Sequence, residues 1–367
     1  MMRYGLTISC FACLLSLTTT KVDAQEQAKE KKIYTVFEDK EKQLTGVAVS
    51  SSGRIFTNYP RWSPPYQYAV VEVKSKHSAT PFPDVNWNTW AGIGNKMEHF
   101  LCVQAVVIDD QDYMWVVDAG YSADKTEEDK GQKLVKIDLN TNKVIRVYPL
   151  AGATGAKSYM NDTRIDTKQQ LAYITNSDEG GIVIVDLQTG AVRQVLYKST
   201  VTTANPAYTV SRLGKPLLRD GAPFHVQSDG IALTDDGKTL YFKALTDNDL
   251  YSVATVYLNN KNLLSKELVA KVAHLGKFTT TDGMTIDSEG SLYLGDLEKR
   301  QILRIRKDLK VETIIPPTED LAWPDSYQLT PDGWLYISCS RIDEQPKFHD
   351  GKSQRKGPYK IVKIKIK

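Results

Sequence analysis

One pattern recurs six times along this chain, and it leaves little choice of architecture. Its clearest copy runs from Ser228 to Leu258. A small polar turn (Ser228, Asp229, Gly230) opens onto the apolar run Ile231-Ala232-Leu233. The chain then turns through Asp235-Asp236-Gly237-Lys238, returns as Thr239-Leu240-Tyr241-Phe242, and turns again at Asp247-Asn248-Asp249 into Leu250-Tyr251-Ser252-Val253. Asp-Gly between two apolar or aromatic runs signals a β-hairpin, because the tight turn needs positive φ. The same order of strand, turn and aromatic-rich strand starts again at Leu44, Val103, Met160, Thr281 and Pro324. The equivalent turns fall near Gly53, Asp112, Gln170, Gly237, Gly290 and Gly333, roughly 43 to 67 residues apart, which is the period of a propeller blade with loop insertions.

The expected fold is therefore all-β, a six-bladed β-propeller. Such a ring must hide the seam between its first and last blades, and one blade built from both termini does this. Ile33 to Phe37 reads as a strand ahead of the first full copy, and Tyr359 to Lys367 as the last strand. We expect the Ile33 strand to complete the blade that holds Trp334 and Ile364. Residues 33–367 then form a single domain, although 367 residues would by length alone suggest two or three.

Residues 1–24 read as a signal peptide, with Arg3 ahead of an apolar run from Leu6 to Leu17 and a small-residue cleavage site at Val22-Asp23-Ala24. Residues 25–32 read as a polar linker. The apolar run is too short to span a bilayer, so no membrane insertion is expected. The protein is expected to be exported, to an extracellular or periplasmic space, and to act as a monomer. Losing the leader removes Arg3, Lys21 and Asp23 and lowers a formal net charge of only +3 by one. A near-neutral chain with interspersed signs argues against nucleic acid as a partner. Cys102 and Cys339 remain and could pair in an oxidising compartment. They fall in the second and sixth copies, which are not neighbours in a six-fold ring, so two buried free thiols are the preferred reading over a disulfide.

No spacing for a Ser nucleophile elbow, a zinc-binding helix or a phosphate loop is present, and the five histidines are scattered. Chemistry must come from carboxylates and amides, and these line up. Gln104, Asn161-Asp162, Asp229, Asp282 and Asp325 stand where the first strand of successive copies begins. First strands line the axis of a propeller, so this register converges on one mouth of a tunnel. Carboxylates facing one another repel and raise each other's pKa unless a cation sits among them. An oxygen-rich, sulfur-free set suits Ca²⁺ or another divalent cation, or a protonated amine on a small-molecule ligand. The competing reading is that Asp before Gly or Ser bonds its own turn. Asp236 and Asp332, inside the hairpin turns, read as structural. Arg61-Trp62 reads either as a packing pair or as a cation and aromatic lid. Trp87, Trp90, Trp115, Trp323 and Trp334 read as blade and loop core. The insertion from Ser75 to Phe100 is expected as an ordered loop over one mouth, and Thr200 to Gln227, with Tyr208, Arg212, Arg219, Phe224 and His225, as a pocket wall.

Ile55 to Trp62, Val103 to Gly120, Met160 to Gly190, Ser228 to Leu258 and Trp323 to Ser338 resemble the major royal jelly protein/Yellow family, in the same order and over nearly the whole mature chain. The resemblance implies a six-bladed propeller. It leaves activity open among nutritive, pigmentation-linked, amine-binding and dopachrome-converting members, and length and cysteine content resemble the bacterial ones. Asn161-Asp162, Asp229-Gly230 and Asp282-Gly283-Met284 also resemble motifs of the SMP-30/gluconolactonase propellers. That resemblance implies Asn161 and Asp229 as metal ligands and Asp282 as catalytic acid/base. The first-blade glutamate of those enzymes has no counterpart here, where Leu44-Thr45-Gly46 stands instead. Two functions follow as expectations: binding of a small polar or amine ligand in the central tunnel, or a divalent-metal-dependent lactonase or dopachrome-type isomerase.

Overall fold

Six four-stranded antiparallel sheets are arranged as the blades of a β-propeller in the computed structural model of the protein, with one extra two-stranded ribbon. The structure describes residues 1–2, 31–62, 65–120, 131–155 and 158–366. The leader assigned to residues 1–24 and most of the linker therefore lie outside the described residues, as does the charged stretch 121–130.

The innermost strands are Ala48–Val49, Val103–Ile108, Met160–Asp166, Ser228–Leu233, Met284–Ile286 and Pro324–Leu329, and each contacts the next in a closed ring. Closure is as the termini foretold. Ile33–Asp39 pairs with Tyr359–Lys365, Ile33 standing opposite Ile364, and that strand lies against Trp334–Cys339. All six turn positions named from the sequence take positive φ, between +54° and +87°. Glycine fills four of them without a Cβ clash. Asp112 is held there by donations to its carboxylate from the Ser51 backbone N–H (2.8 Å) and hydroxyl (3.0 Å) of the preceding blade.

Apolar side chains fill the spaces between neighbouring blades. Phe56, Phe100, Val103 and Val116 join blades 1 and 2, while Trp115, Tyr148, Ile174 and Val185 join blades 2 and 3. The Ser75 to Phe100 insertion differs from expectation. Ser78–Pro81 is the outer strand of blade 1, and Phe82, Trp87 and Phe100 pack into the core between blades 1 and 2, away from the mouth. Pro81 ends that strand, where its missing N–H costs nothing. Cys102 and Cys339 are buried free thiols. No helix among the described residues is long and apolar enough to cross a membrane.

Candidate functional site

The first strands do not start regularly. In blades 2, 3, 4 and 6 the pairing with the second strand slips between Val103 and Ala105, Met160 and Thr163, Ser228 and Ile231, and Pro324 and Tyr327. Such bulges re-aim side chains, and Gln104, Asn161-Asp162, Asp229 and Asp325 lie inside these four. In blade 5, Asp282-Gly283 sits immediately ahead of Met284–Ile286. Two glycines let the strands close in. A Cβ on Gly230 would sit 2.5 Å from the Asp282 carbonyl oxygen, and one on Gly283 would sit 2.6 Å from that of Asp325. The Gly283 N–H donates to the Asp325 carbonyl at 2.8 Å.

Gln104, Asn161, Asp229, Asp282 and Asp325 consequently share one cavity of about 920 Å³. Asp229 is 1% exposed, and Asp282 and Asp325 are each 7% exposed. The Asn161 Nδ2 donates to Asp229 Oδ2 at 2.7 Å, and Asp229 Oδ1 has no donor among the described residues. Burial, then the neighbouring Asp282, Asp162 and Asp325 charges, raise the Asp229 pKa well above the carboxylate range. Asp282 pushes Asp229 up, while Asp229 pulls Asp282 down. Asp282 itself is pushed up to about 7, chiefly by burial, against hydrogen bonds from Trp323 and Asp229. Asp325 is raised by burial and by Asp282, with the Ser340 hydroxyl pulling the other way.

Asp162 does not line this cavity. It lies below, beside Gly283, and faces Arg164 on the same strand. Arg164 donates to the carbonyls of Thr163 and Met284, reaching from blade 3 to blade 5 across the axis. Burial raises Asp162 while Arg164 opposes the rise. A smaller cavity of about 250 Å³ opens at the other end, with Arg164, Asp166 and Asp109 in its wall. Arg61 is not brought to the mouth either. Its guanidinium lies 5.4 Å from the Tyr66 ring centroid, whereas Trp62 does line the cavity and donates to the Tyr159 hydroxyl at 2.8 Å. Arg219, Phe224 and His225 from the Thr200 to Gln227 insertion form part of its wall.

Two residues of the site were missed in the sequence. Trp323 is buried in the core as expected, beside Phe224 and Leu245. It also lines the cavity and donates its indole N–H to Asp282 Oδ2 at 2.6 Å, a role the sequence did not suggest. Lys243 is buried near the acids, its ammonium donating to the Ala244 and Asp247 carbonyls at 2.5 and 2.8 Å. Burial lowers it to about 8, against the pull of Asp247, Asp229, Asp249 and Asp282. A lysine in the middle of the aromatic strand Thr239–Ala244 was the available signal.

A divalent cation fits this arrangement poorly. Asp229 Oδ2 is taken by the Asn161 amide N–H and Asp282 Oδ2 by the Trp323 indole, so two of the carboxylate oxygens a cation would need are already engaged. Among the described residues no group of three His, Cys, Asp or Glu side chains is placed to hold a metal ion.

Solved structures of similar fold include a gluconolactonase from Xanthomonas campestris, at 10% identity and a TM-score of 0.55, covering 91% of this chain and 89% of that one. A calcium-binding regucalcin from Agrobacterium tumefaciens matches at 13% identity and a TM-score of 0.53, covering 91% and 95%. The virginiamycin B lyase of Staphylococcus aureus matches at 11% identity and a TM-score of 0.52, covering 92% and 100%. At such identities the likeness concerns the fold alone. No curated protein matches in sequence. The family model for major royal jelly protein matches residues 101–313, more than half of the sequence and four of the six blade starts. The chain belongs to the major royal jelly protein family.

Proposed function

We propose that the protein is an exported binder of a small organic cation, held by its amine at the floor of the wide mouth. The observation that carries this reading is the buried acid cluster: Asp229, Asp282 and Asp325 share one cavity, and each is raised by burial and by at least one carboxylate neighbour. A protonated amine relieves that repulsion and supplies the donors the acids lack. Trp62, Phe224, Trp323 and Phe348 offer apolar and aromatic surface for the rest of such a ligand. Export rests on the leader features of residues 1–24.

Binding of the amine displaces carboxyl protons. Affinity therefore rises with pH through about 7, where Asp282 loses its proton, while an alkylamine stays charged. Calorimetry with phenethylamine in buffers of different ionisation enthalpy should show proton release. Thermal unfolding should shift upward with the amine, and not with calcium or EDTA. A shift with calcium that EDTA reverses would replace this reading by a metal site.

One observation favours a second reading. A carboxyl near pH 7, bonded to a neighbour that holds a proton, is suited to general acid/base work. Asp282 could then move a proton in a lactone hydrolase or a dopachrome-type isomerase without a metal. Turnover of a lactone that is abolished by Asp282→Asn would favour it over simple binding.

A further inference from the structure

The acids account only for the floor of the cavity. Two insertions, 200–227 and 341–355, build its upper wall, and they are clasped together. The Asp220 N–H donates to the Lys347 carbonyl at 2.8 Å, and the Phe224 and Phe348 rings lie 5.1 Å apart. This clasp brings Arg219 and Lys347 to one rim of the cavity. Each cation rests on aromatic faces. Arg219 is 5.4 Å from the Phe224 centroid, and the Lys347 ammonium is 5.4 Å from Phe348 and 5.9 Å from Trp62. Neither makes an ion pair with a carboxylate among the described residues. Desolvation first, and the Arg219 charge second, lower Lys347 to about 8, with Asp220 opposing. Just inside, Arg341 also lines the cavity. It is 7% exposed, reaches Glu344 only at 3.4 Å, and leaves its Nε without a hydrogen-bond partner among the described residues.

The rim is thus the mirror image of the floor. Like charges gather there. Asp220 lies near Lys347, and Glu344 is shared by Arg341, Arg300 and Arg212. Yet Arg219 and Lys347 have no carboxylate in ion-pair reach among the described residues and a buried donor stands unmet, so the missing partner is an anion. We propose that the ligand is dipolar: a protonated amine toward Asp229 and Asp282, an oxyanion such as a carboxylate toward Arg219 and Lys347, and a flat middle against Trp62 and Phe348. This rests on the amine reading of the floor and narrows it. Opposite charges at the two ends fix which way the ligand enters, and they discriminate against a plain amine.

Calorimetry on the full protein with four probes tests it: phenethylamine, para-carboxyphenethylamine, its methyl ester, and phenylpropanoate. A charge-assisted contact at the rim should make the carboxylate bind about tenfold or more tightly than phenethylamine. The ester should fall back to the plain amine. In the Arg219→Gln/Lys347→Gln variant the ratio of the two affinities should approach one. The ester comparison needs no variant at all, so the test stands whatever the double substitution does to the fold. Equal affinities for acid and ester, or a ratio that survives the double substitution, would overturn the rim assignment and leave the amine floor standing. Failure of phenethylamine to bind, with phenylpropanoate binding in its place, would overturn the floor reading and the dipolar ligand together. Binding of none of the four would do the same.

Discussion

Two rows of aspartates sit at opposite ends of the same short strands, and their circumstances are opposed. At the hairpin turns the carboxylates are full of donors. Asp109 accepts from the N–H groups of Gln111 and Tyr113 and from the Trp115 indole; Asp287 accepts from those of Glu289 and Ser291 and from the Tyr293 hydroxyl. Asp236 is held below its ordinary value by the Thr234 hydroxyl and the Lys238 N–H, and Asp332 by the Thr330 hydroxyl. At the axial mouth Asp229 has one donor among the described residues, Asn161, and faces three other acids. Burial alone does not make the difference. Asp118 is 0% exposed, yet it takes the N–H groups of Leu101, Cys102 and Gly120 and the Lys133 ammonium at 2.7 to 2.9 Å. A propeller can satisfy a buried aspartate from its own backbone, and at the mouth it does not. The unmet demand there is the signature of a ligand.

The sharpest way to break this contrast is to neutralise the mouth. A carboxyl whose pKa is raised on folding holds its proton more tightly in the native state, so stability falls as pH rises from about 4 to about 7. For Asp282, which moves from 3.8 to about 7, the penalty above neutrality is on the order of 2–4 kcal/mol. Asp282→Asn should therefore stabilise the protein at pH 8 by that order, with the gain vanishing near pH 4. Asp229→Asn should act in the same direction, because an amide removes a buried carboxyl that burial and its acid neighbours raise. Urea unfolding at the two pH values measures both. A loss of stability at pH 8 would mean that the acids are compensated in the free protein and that no outside cation is needed.

Much of this was legible beforehand, for physical reasons that differ residue by residue. Turn positions announce themselves because Gly53, Gly237, Gly290 and Gly333 relieve a steric constraint, and even Asp112 and Gln170 betray theirs by register. The axial acids were visible because each precedes or begins an apolar strand at the same point of the repeat. What escaped depends on pleat and on neighbours. Arg164 stands two residues after Asp162 and so shares its face, a signal that alternation alone could have supplied. Trp323 was hidden because its partner, Asp282, is 41 residues distant and in another blade. Ser78–Pro81 was misread because a short, polar outer strand has no apolar period to show.

Asp162 is opposed by an arginine of its own strand, and removing that cation should move its pKa up. Arg164→Met removes two bonds to carbonyls and the attraction that holds Asp162 down, and should cost about 1–3 kcal/mol at pH 8. The Asp162 pKa then rises further, so the cost should shrink at pH 5, where the lone carboxyl takes a proton. An equal loss at both pH values would assign Arg164 to packing across the tunnel and not to charge.

The smallest effect belongs to the turns. Asp236 lies at the surface and is lowered on folding by the Thr234 hydroxyl first and the Lys238 N–H second. A lowered carboxylate contributes stability above its unfolded pKa and loses it as pH falls through the folded one. Asp236→Ala should thus lower the melting temperature slightly at pH 7 and not at all in strong acid, the reverse of the sign expected for Asp282→Asn. Water replaces most of what is lost at so exposed a site. The two substitutions measured side by side across pH should give slopes of opposite sign. Slopes of the same sign would dissolve the distinction between the rows, since both would then be acids serving only their own turns.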